Sequence, residues 1–189
     1  YRHTAPGPLE TLAREDLSSD PSSTLPGTTY SNFKGAPVMN DYGDACFTAS
    51  TKGVIEKSYV FCCQSFGCDA GSVLPTAVLG DGAFSDQLDP IKVFTDLDVS
   101  DYGYLVVQTS KGVFGVTDAI FGPASTAFTI LEKGDNVPYL SNPRNYDVMS
   151  FKKGVGVEPQ AGGGDCRIAS HAGAKSSDGA DVTLDIKIK

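Results

Sequence analysis

The sequence predicts a mainly β protein, and three observations carry this prediction. The 189 residues include 21 glycines and 11 prolines, and the turns they favour separate many short apolar runs. In the second half, turn signals recur about every 8 to 12 residues, a spacing typical of an antiparallel sandwich or barrel. The last segment alternates apolar Val182, Leu184, Ile186 and Ile188 with polar residues. Such alternation is typical of a strand with one face in water.

Residues 1–29 are predicted to form an N-terminal arm. The arm begins and ends in Pro-, Gly-, Ser- and Thr-rich sequence, and PLETLAREDL lies between. Leu9, Leu12 and Leu17 approximate one helical face, with Pro8 in the first turn, so a short helix is expected there. The alternative is a disordered terminus. Because the chain starts at Tyr1 without a signal peptide, we expect this end to arise by processing or by choice of the expressed segment.

Two further segments follow the arm. Residues 30–90 are predicted to be a cysteine-stapled, β-rich N-domain, in which the step at 51–53 is a hairpin turn. The stretch 69–90 is rich in Gly, Pro and Asp with little periodicity, which favours a domain boundary. Residues 91–189 are predicted to be an antiparallel β-sandwich C-domain, with a polar, glycine-rich loop at 158–181 before the last strand. No internal repeat is expected.

The net charge and the hydropathy limit the kinds of partner that we expect. The net charge is −8 and the pI is near 4.6, and an acidic surface repels phosphate backbones and anionic lipids. We therefore expect no nucleic-acid partner. No apolar run approaches the roughly 20 residues that span a bilayer, so no membrane insertion is expected either. A monomer is predicted.

The cysteines give the clearest signal. Four of the five, namely Cys46, Cys62, Cys63 and Cys68, fall within 23 residues, which in an oxidising compartment indicates two local disulfides. Neighbouring side chains in a strand point to opposite faces, so Cys62 and Cys63 should take different partners. All three pairings stay open. Zinc is disfavoured because the two histidines, His3 and His171, lie near the chain ends.

The remaining candidate site residues, Cys166 and several aspartates, give weaker indications of a functional site. Cys166 is predicted to be a free thiol or a partner of one of the other cysteines. With His171 it would make a cysteine enzyme only in an ordered cleft, which a glycine-rich loop does not supply. Asp96, Asp98 and Asp101 in DLDVSD are candidate calcium ligands, and so are Asp81, Asp86 and Asp89 in GDGAFSDQLD. An EF-hand is excluded because Asp101 stands where the loop needs Gly and Val107 where it needs Glu. No catalytic motif is present, so no enzyme, cofactor or metal is expected.

The layout resembles a known family. A cysteine-stapled half containing ACFTASTKGVIEKSYVFCCQSFGC, followed by the cysteine-poor 91–189, resembles the dual-domain secreted effectors of the fungus Fusarium oxysporum. In that family a pro-segment is removed by a Kex2-like protease, the N-domain carries most disulfides and the C-domain is a β-sandwich. Such N-domains usually carry more cysteines than this one.

The resemblance implies a function. The chain would be a secreted virulence protein that binds host plant components, either outside host cells or after uptake into them. An immune receptor of a resistant plant would detect it as an avirulence factor. The alternative is a secreted carbohydrate-binding or hydrolytic β-sandwich, with the acidic turns after 81 and 96 as its site.

Overall fold

The computed structural model describes residues 12–15, 25–65, 68, 71–85, 93–117, 119–121, 126–138, 145–159, 166–176 and 181–188. The described part is built from three four-stranded antiparallel sheets. Sheet 1 contains β1 (Thr28–Met39), β2 (Ala45–Gly53), β3 (Ser58–Cys63) and β4 (Leu74–Val78). Sheet 2 contains β5 (Phe94–Val99), β6 (Leu105–Thr109), β7 (Gly112–Val116) and β8 (Ala127–Glu132). Sheet 3 contains β9 (Asn136–Pro138), β10 (Asn145–Pro159), β11 (Cys166–Ser176) and β12 (Asp181–Ile188).

Every sheet is a meander in which each strand pairs with its neighbour in the chain. Short connections therefore fix the pairing. The predicted hairpin of β2 and β3 is present, but its turn lies at 54–57 and not at 51–53, because residues 51–53 are the end of β2 and pair with β1. Two single 3-10 turns, Gly82–Phe84 and Ala119–Phe121, are the helical elements of the described residues. The mainly antiparallel β class predicted from the sequence is confirmed.

Sheet 2 is the middle layer, because both faces of its central strands, β6 and β7, are buried. All five residues of β6 and all five of β7 are buried. Leu105, Val107, Phe114 and Val116 belong to a core shared with sheet 1. Val106 and Val113, on the opposite face, belong to a second core shared with sheet 3. The segments LVVQT and GVFGV do not alternate apolar and polar residues as the last strand does. The two-sided burial explains this, because a strand buried on both faces has no side that must be polar.

The central strands of sheet 1, β2 and β3, are also covered on both faces. The outer face of this sheet carries an aromatic cluster in which the ring of Tyr30 lies 5.0 Å from Phe61 and 5.8 Å from Phe47, both edge-on. Leu12 and Leu25 from the N-terminal segment and Val73 from the connection before β4 pack on this cluster. Aromatic pairs in such geometry contribute about 0.5–1.5 kcal/mol each beyond their area burial.

Two expectations about elements are not confirmed. The stretch 158–181 is not one loop, because β11 occupies Cys166–Ser176 and pairs with both β10 and β12. The short N-terminal helix is not confirmed: Leu12–Glu15 are not helical, and Glu15 forms a parallel bridge with Tyr30. The rest of that helix lies outside the described residues.

The predicted division at 90/91 stays a prediction. One hydrophobic core nevertheless crosses it, because Cys46, Val60 and Cys62 of sheet 1 share a cluster with Leu97 and Leu105 of sheet 2. Contacts across this line are therefore part of the core.

Candidate functional site

The four clustered cysteines form two disulfides, Cys46–Cys62 and Cys63–Cys68. Cys46 and Cys62 are directly opposite each other on β2 and β3. Their bridge lies in the core facing sheet 2, whereas Cys63 and Cys68 belong to the outer cluster. The expectation that Cys62 and Cys63 face opposite ways and take different partners is confirmed. All four are at most 3% exposed, so the bridges are structural crosslinks inside the packing.

The candidate calcium ligands Asp96 and Asp98 bind backbone amides. Asp96 Oδ2 accepts hydrogen bonds from the amides of Gly154 (2.9 Å) and Val155 (3.3 Å), and Asp98 Oδ2 accepts one from Val157 (2.8 Å). The two carboxylates, two residues apart on the edge strand β5, thus hold β10 of sheet 3. They connect two layers of the fold.

Within the described part of the chain, the carboxylate of Asp101 does not contact β10. Its Oδ1 accepts a hydrogen bond from the backbone amide of Asp41 at 3.0 Å, in the turn between β1 and β2. The three candidates therefore do not converge on one point. Among the residues that the structure describes, no group of three or more His, Cys, Asp or Glu side chains is placed to hold a metal ion.

Other predicted candidates are also dispersed. Asp81 pairs with Lys57 at 3.0 Å, with both side chains about half exposed, and such pairs contribute about 0–1 kcal/mol. Asp86 and Asp89 lie outside the described residues. Cys166 and His171 are five residues apart along β11. At about 3.3 Å per strand residue their Cα atoms are about 16 Å apart, too far for a nucleophile and its base.

The contact between Asp101 and Asp41 brings together two turns of nearly the same sequence. NDYGD at 40–44 joins β1 to β2, and SDYGY at 100–104 joins β5 to β6. The amide of Gly43 donates to the carbonyl of Asn40 at 3.0 Å, and that of Gly103 to the carbonyl of Ser100 at 3.0 Å. Both glycines have positive φ, 85° and 78°, a conformation that other residues adopt at a cost. The same four-residue turn is therefore made twice.

A buried amide joins the two turns. Asn40 Nδ2 donates to the carbonyl of Ser100 at 3.0 Å and to Asp44 Oδ2 at 2.8 Å. Asp44, only 4% exposed, accepts a further bond at Oδ1 from the amide of Ser65 at 2.8 Å. Ser65 lies between Cys63 and Cys68, so the disulfide-closed segment also braces the turns. Because buried polar groups without partners are costly, these bonds fix one arrangement.

Large side chains are exposed on this braced base. Met39 is 65% exposed, Tyr42 66% and Tyr102 56%. Asp41 is exposed beside Tyr42, and the half-buried Asp101 precedes Tyr102. We call these five residues the two-turn surface. Aromatic side chains presented at fixed positions by a rigid base are typical of binding surfaces.

The sequence prediction missed this surface, although a signal was present. Asp-Tyr-Gly occurs at 41–43 and again at 101–103, and Lys-Gly-Val follows each within about a dozen residues, at 52–54 and 111–113. The expectation of no internal repeat overlooked this recurrence, which marks equivalent hairpins in sheets 1 and 2.

No protein-family model, curated protein or solved structure matches this chain. No helix in the described ranges is long and apolar enough to cross a membrane.

Proposed function

We propose that this chain is a secreted fungal effector that acts by binding host plant components and that a plant immune receptor can detect. The observation that carries the proposal is the pair of buried disulfides, which brace a surface of exposed tyrosines. Disulfides of this kind persist in oxidising compartments and are rare in the cytosol. A braced surface without a convergent catalytic group among the described residues supports binding.

The compartment is tested by counting thiols. The chain is expressed with a secretion signal, denatured without reductant and titrated with a thiol reagent. One thiol per chain is expected, from Cys166, because the other four cysteines are paired, and five are expected after reduction. Four or five thiols before reduction would remove the secreted, oxidised assignment.

The activity is tested in leaf tissue. The secreted chain is produced in leaves, and the oxidative burst that follows a chitin elicitor is measured, with cell death scored in resistant plants. A weaker burst, or cell death restricted to resistant plants, is expected. The matched control is a chain in which Cys46 and Cys62 are both replaced by alanine. If neither response is observed in any plant tested, the effector function is overturned.

The carbohydrate alternative receives less support. It assigned the site to the acidic turns after 81 and 96, where Asp81 pairs with Lys57 and Asp96 and Asp98 bind the amides of β10. A site built on those carboxylates would have to break these contacts.

A further inference from the structure

We propose that the two-turn surface, comprising Met39, Asp41, Tyr42, Asp101 and Tyr102, docks a basic segment of a partner protein that contains arginine or lysine. The inference rests on the proposed function only in taking the protein to act by binding. It adds the place of binding and the chemistry of the partner.

The first argument is exposure on a fixed base. Tyr42 and Tyr102 are more than half exposed, yet their turns are held together by Asn40 and by the bond from the amide of Asp41 to Asp101 Oδ1. Ordering flexible groups costs binding free energy, and a surface fixed in advance avoids much of that cost. Exposed tyrosines on rigid turns are therefore suited to contact another molecule.

The second argument is duplication. Both turns place an aspartate immediately before the tyrosine, and both glycines that follow adopt positive φ. Two equivalent Asp-Tyr pairs on neighbouring turns offer two similar contact points for one ligand. A ligand with two matching groups would gain from engaging both, because the second contact is intramolecular once the first has formed.

The third argument is charge. A tyrosine ring attracts a cation over its face, and a neighbouring carboxylate adds an opposite charge. Arginine meets both requirements, because its planar guanidinium stacks on rings and pairs with carboxylates. The whole chain, at −8, would also attract a basic partner from a distance. Met39 supplies an apolar contact for the aliphatic stem of such a side chain.

The test uses two synthetic peptides and the full chain. One peptide is capped and neutral except for two arginines separated by glycines, and the other has one arginine replaced by glutamine. Binding is followed by amide chemical shifts in NMR titrations at physiological salt. We expect shifts concentrated at residues 39–44 and 100–104, and weaker binding of the single-arginine peptide.

Variants separate the surface from general acidity. Replacing Tyr42 and Tyr102 together by alanine keeps every charge and should weaken binding of the two-arginine peptide roughly 5- to 30-fold, as expected for the loss of two exposed cation–π contacts. Asp41→Asn should weaken it roughly two- to five-fold. The matched controls are Met149→Ala on β10 and Glu56→Gln on the β2–β3 turn, both exposed and remote in the fold, and neither should change the affinity. Because the replaced side chains are exposed, each variant should keep the wild-type unfolding midpoint.

Several results would overturn the proposal. These are no binding at millimolar peptide, shifts spread over the whole acidic surface, or equal weakening by Glu56→Gln and Asp41→Asn. Binding of a neutral chitin oligosaccharide to the same tyrosines, without peptide binding, would assign the surface to a sugar instead. The leaf assay tests the effector function independently of the surface. If the chain binds the peptide but has no effect in leaves, the effector function is overturned and the docking surface is retained. If the chain is active in leaves, keeps that activity without Tyr42 and Tyr102, and does not bind the peptide, only the proposed docking surface is overturned.

Discussion

Asn40 is the residue on which the arrangement of the two turns depends most. Its amide donates to Ser100 and Asp44, and its Oδ1 accepts from the amide of Asp44 at 2.9 Å. One short side chain thus satisfies groups in both turns, from two hairpins that are 60 residues apart in the chain. No local pattern in the sequence distinguishes it from an ordinary turn asparagine.

Replacing Asn40 with alanine should therefore destabilise the fold by roughly 2–4 kcal/mol, since it leaves the buried Asp44 carboxylate without one of its donors. Urea unfolding measures the loss, and amide shifts at residues 100–104 should move with it. Asn32→Ala, at an exposed position of β1, is the control and should change stability by less than about 0.5 kcal/mol. Equal losses in both variants would contradict the joining role of Asn40.

Tyr59 gives a prediction about pH. Burial raises the pKa of its hydroxyl above the ordinary value of about 10, with Lys57 lowering it and Asp81 raising it to smaller extents. The folded state therefore holds this proton more tightly than the unfolded chain. The resulting stability is complete below the ordinary pKa and is lost as pH rises through the raised value. Urea midpoints between pH 8 and 11.5 should fall more steeply for the native chain than for Tyr59→Phe. Parallel curves for the two chains would contradict a raised pKa of Tyr59.

Residues differ in how far the sequence predicts their contacts. The opposite orientations of Cys62 and Cys63 followed from strand alternation, which needs only their neighbours in the chain. The partners of Asp96 and Asp98 lie 58 and 59 residues away. A carboxylate next to a strand looks the same in sequence whether it binds a metal or an amide, so the calcium interpretation was open until the fold placed β10 beside β5.

At the scale of elements, the strands that pair locally were the most predictable. The hairpin of β2 and β3 was signalled by Thr51-Lys52-Gly53 between alternating runs. The strand β11 was missed because IASHAGAKS is rich in small and polar residues, which are typical of loops. Its backbone is ordered by pairing on both sides, with β10 and β12, a property of the sheet that its own composition does not reveal.

The two disulfides should contribute unequally to stability. Cys46–Cys62 closes a loop with a sequence separation of 16, and Cys63–Cys68 one with a separation of 5. Loop-closure entropy then predicts a loss of about 3 kcal/mol for Cys46→Ala with Cys62→Ala, and about 2 kcal/mol for Cys63→Ala with Cys68→Ala. Denaturant unfolding under non-reducing conditions measures both. A larger loss from the second pair would indicate that the segment carrying Ser65 stabilises the fold by more than chain entropy.

At the scale of the whole molecule, three sheets are stacked so that the central strands of the middle sheet, β6 and β7, are buried on both faces. The sequence indicated this only indirectly, through the apolar residues LVV of β6 and GVFGV of β7. It gave no sign of which sheets are neighbours, because the shared cores join residues from segments with separate patterns. In the part of the chain that the structure describes, no strand of sheet 2 pairs with a strand of sheet 3. Instead, the side chains of Asp96 and Asp98 on β5 accept hydrogen bonds from backbone amides of β10 in sheet 3.

Replacing Asp96 and Asp98 together by alanine should therefore loosen sheet 3 more than the other two. The three amide bonds from β10 to these carboxylates are lost, and because the side chains are half-buried we expect a cost of roughly 2–4 kcal/mol for the pair. Hydrogen exchange at the amides of Gly154, Val155 and Val157 should accelerate, whereas exchange in β2 and β3 should change far less. Asparagine at both positions keeps one acceptor oxygen and should recover part of the protection. Asp81→Ala, which removes an exposed ion pair, is the control. Uniform acceleration across all three sheets would show that the carboxylates stabilise the molecule as a whole and do not specifically hold sheet 3.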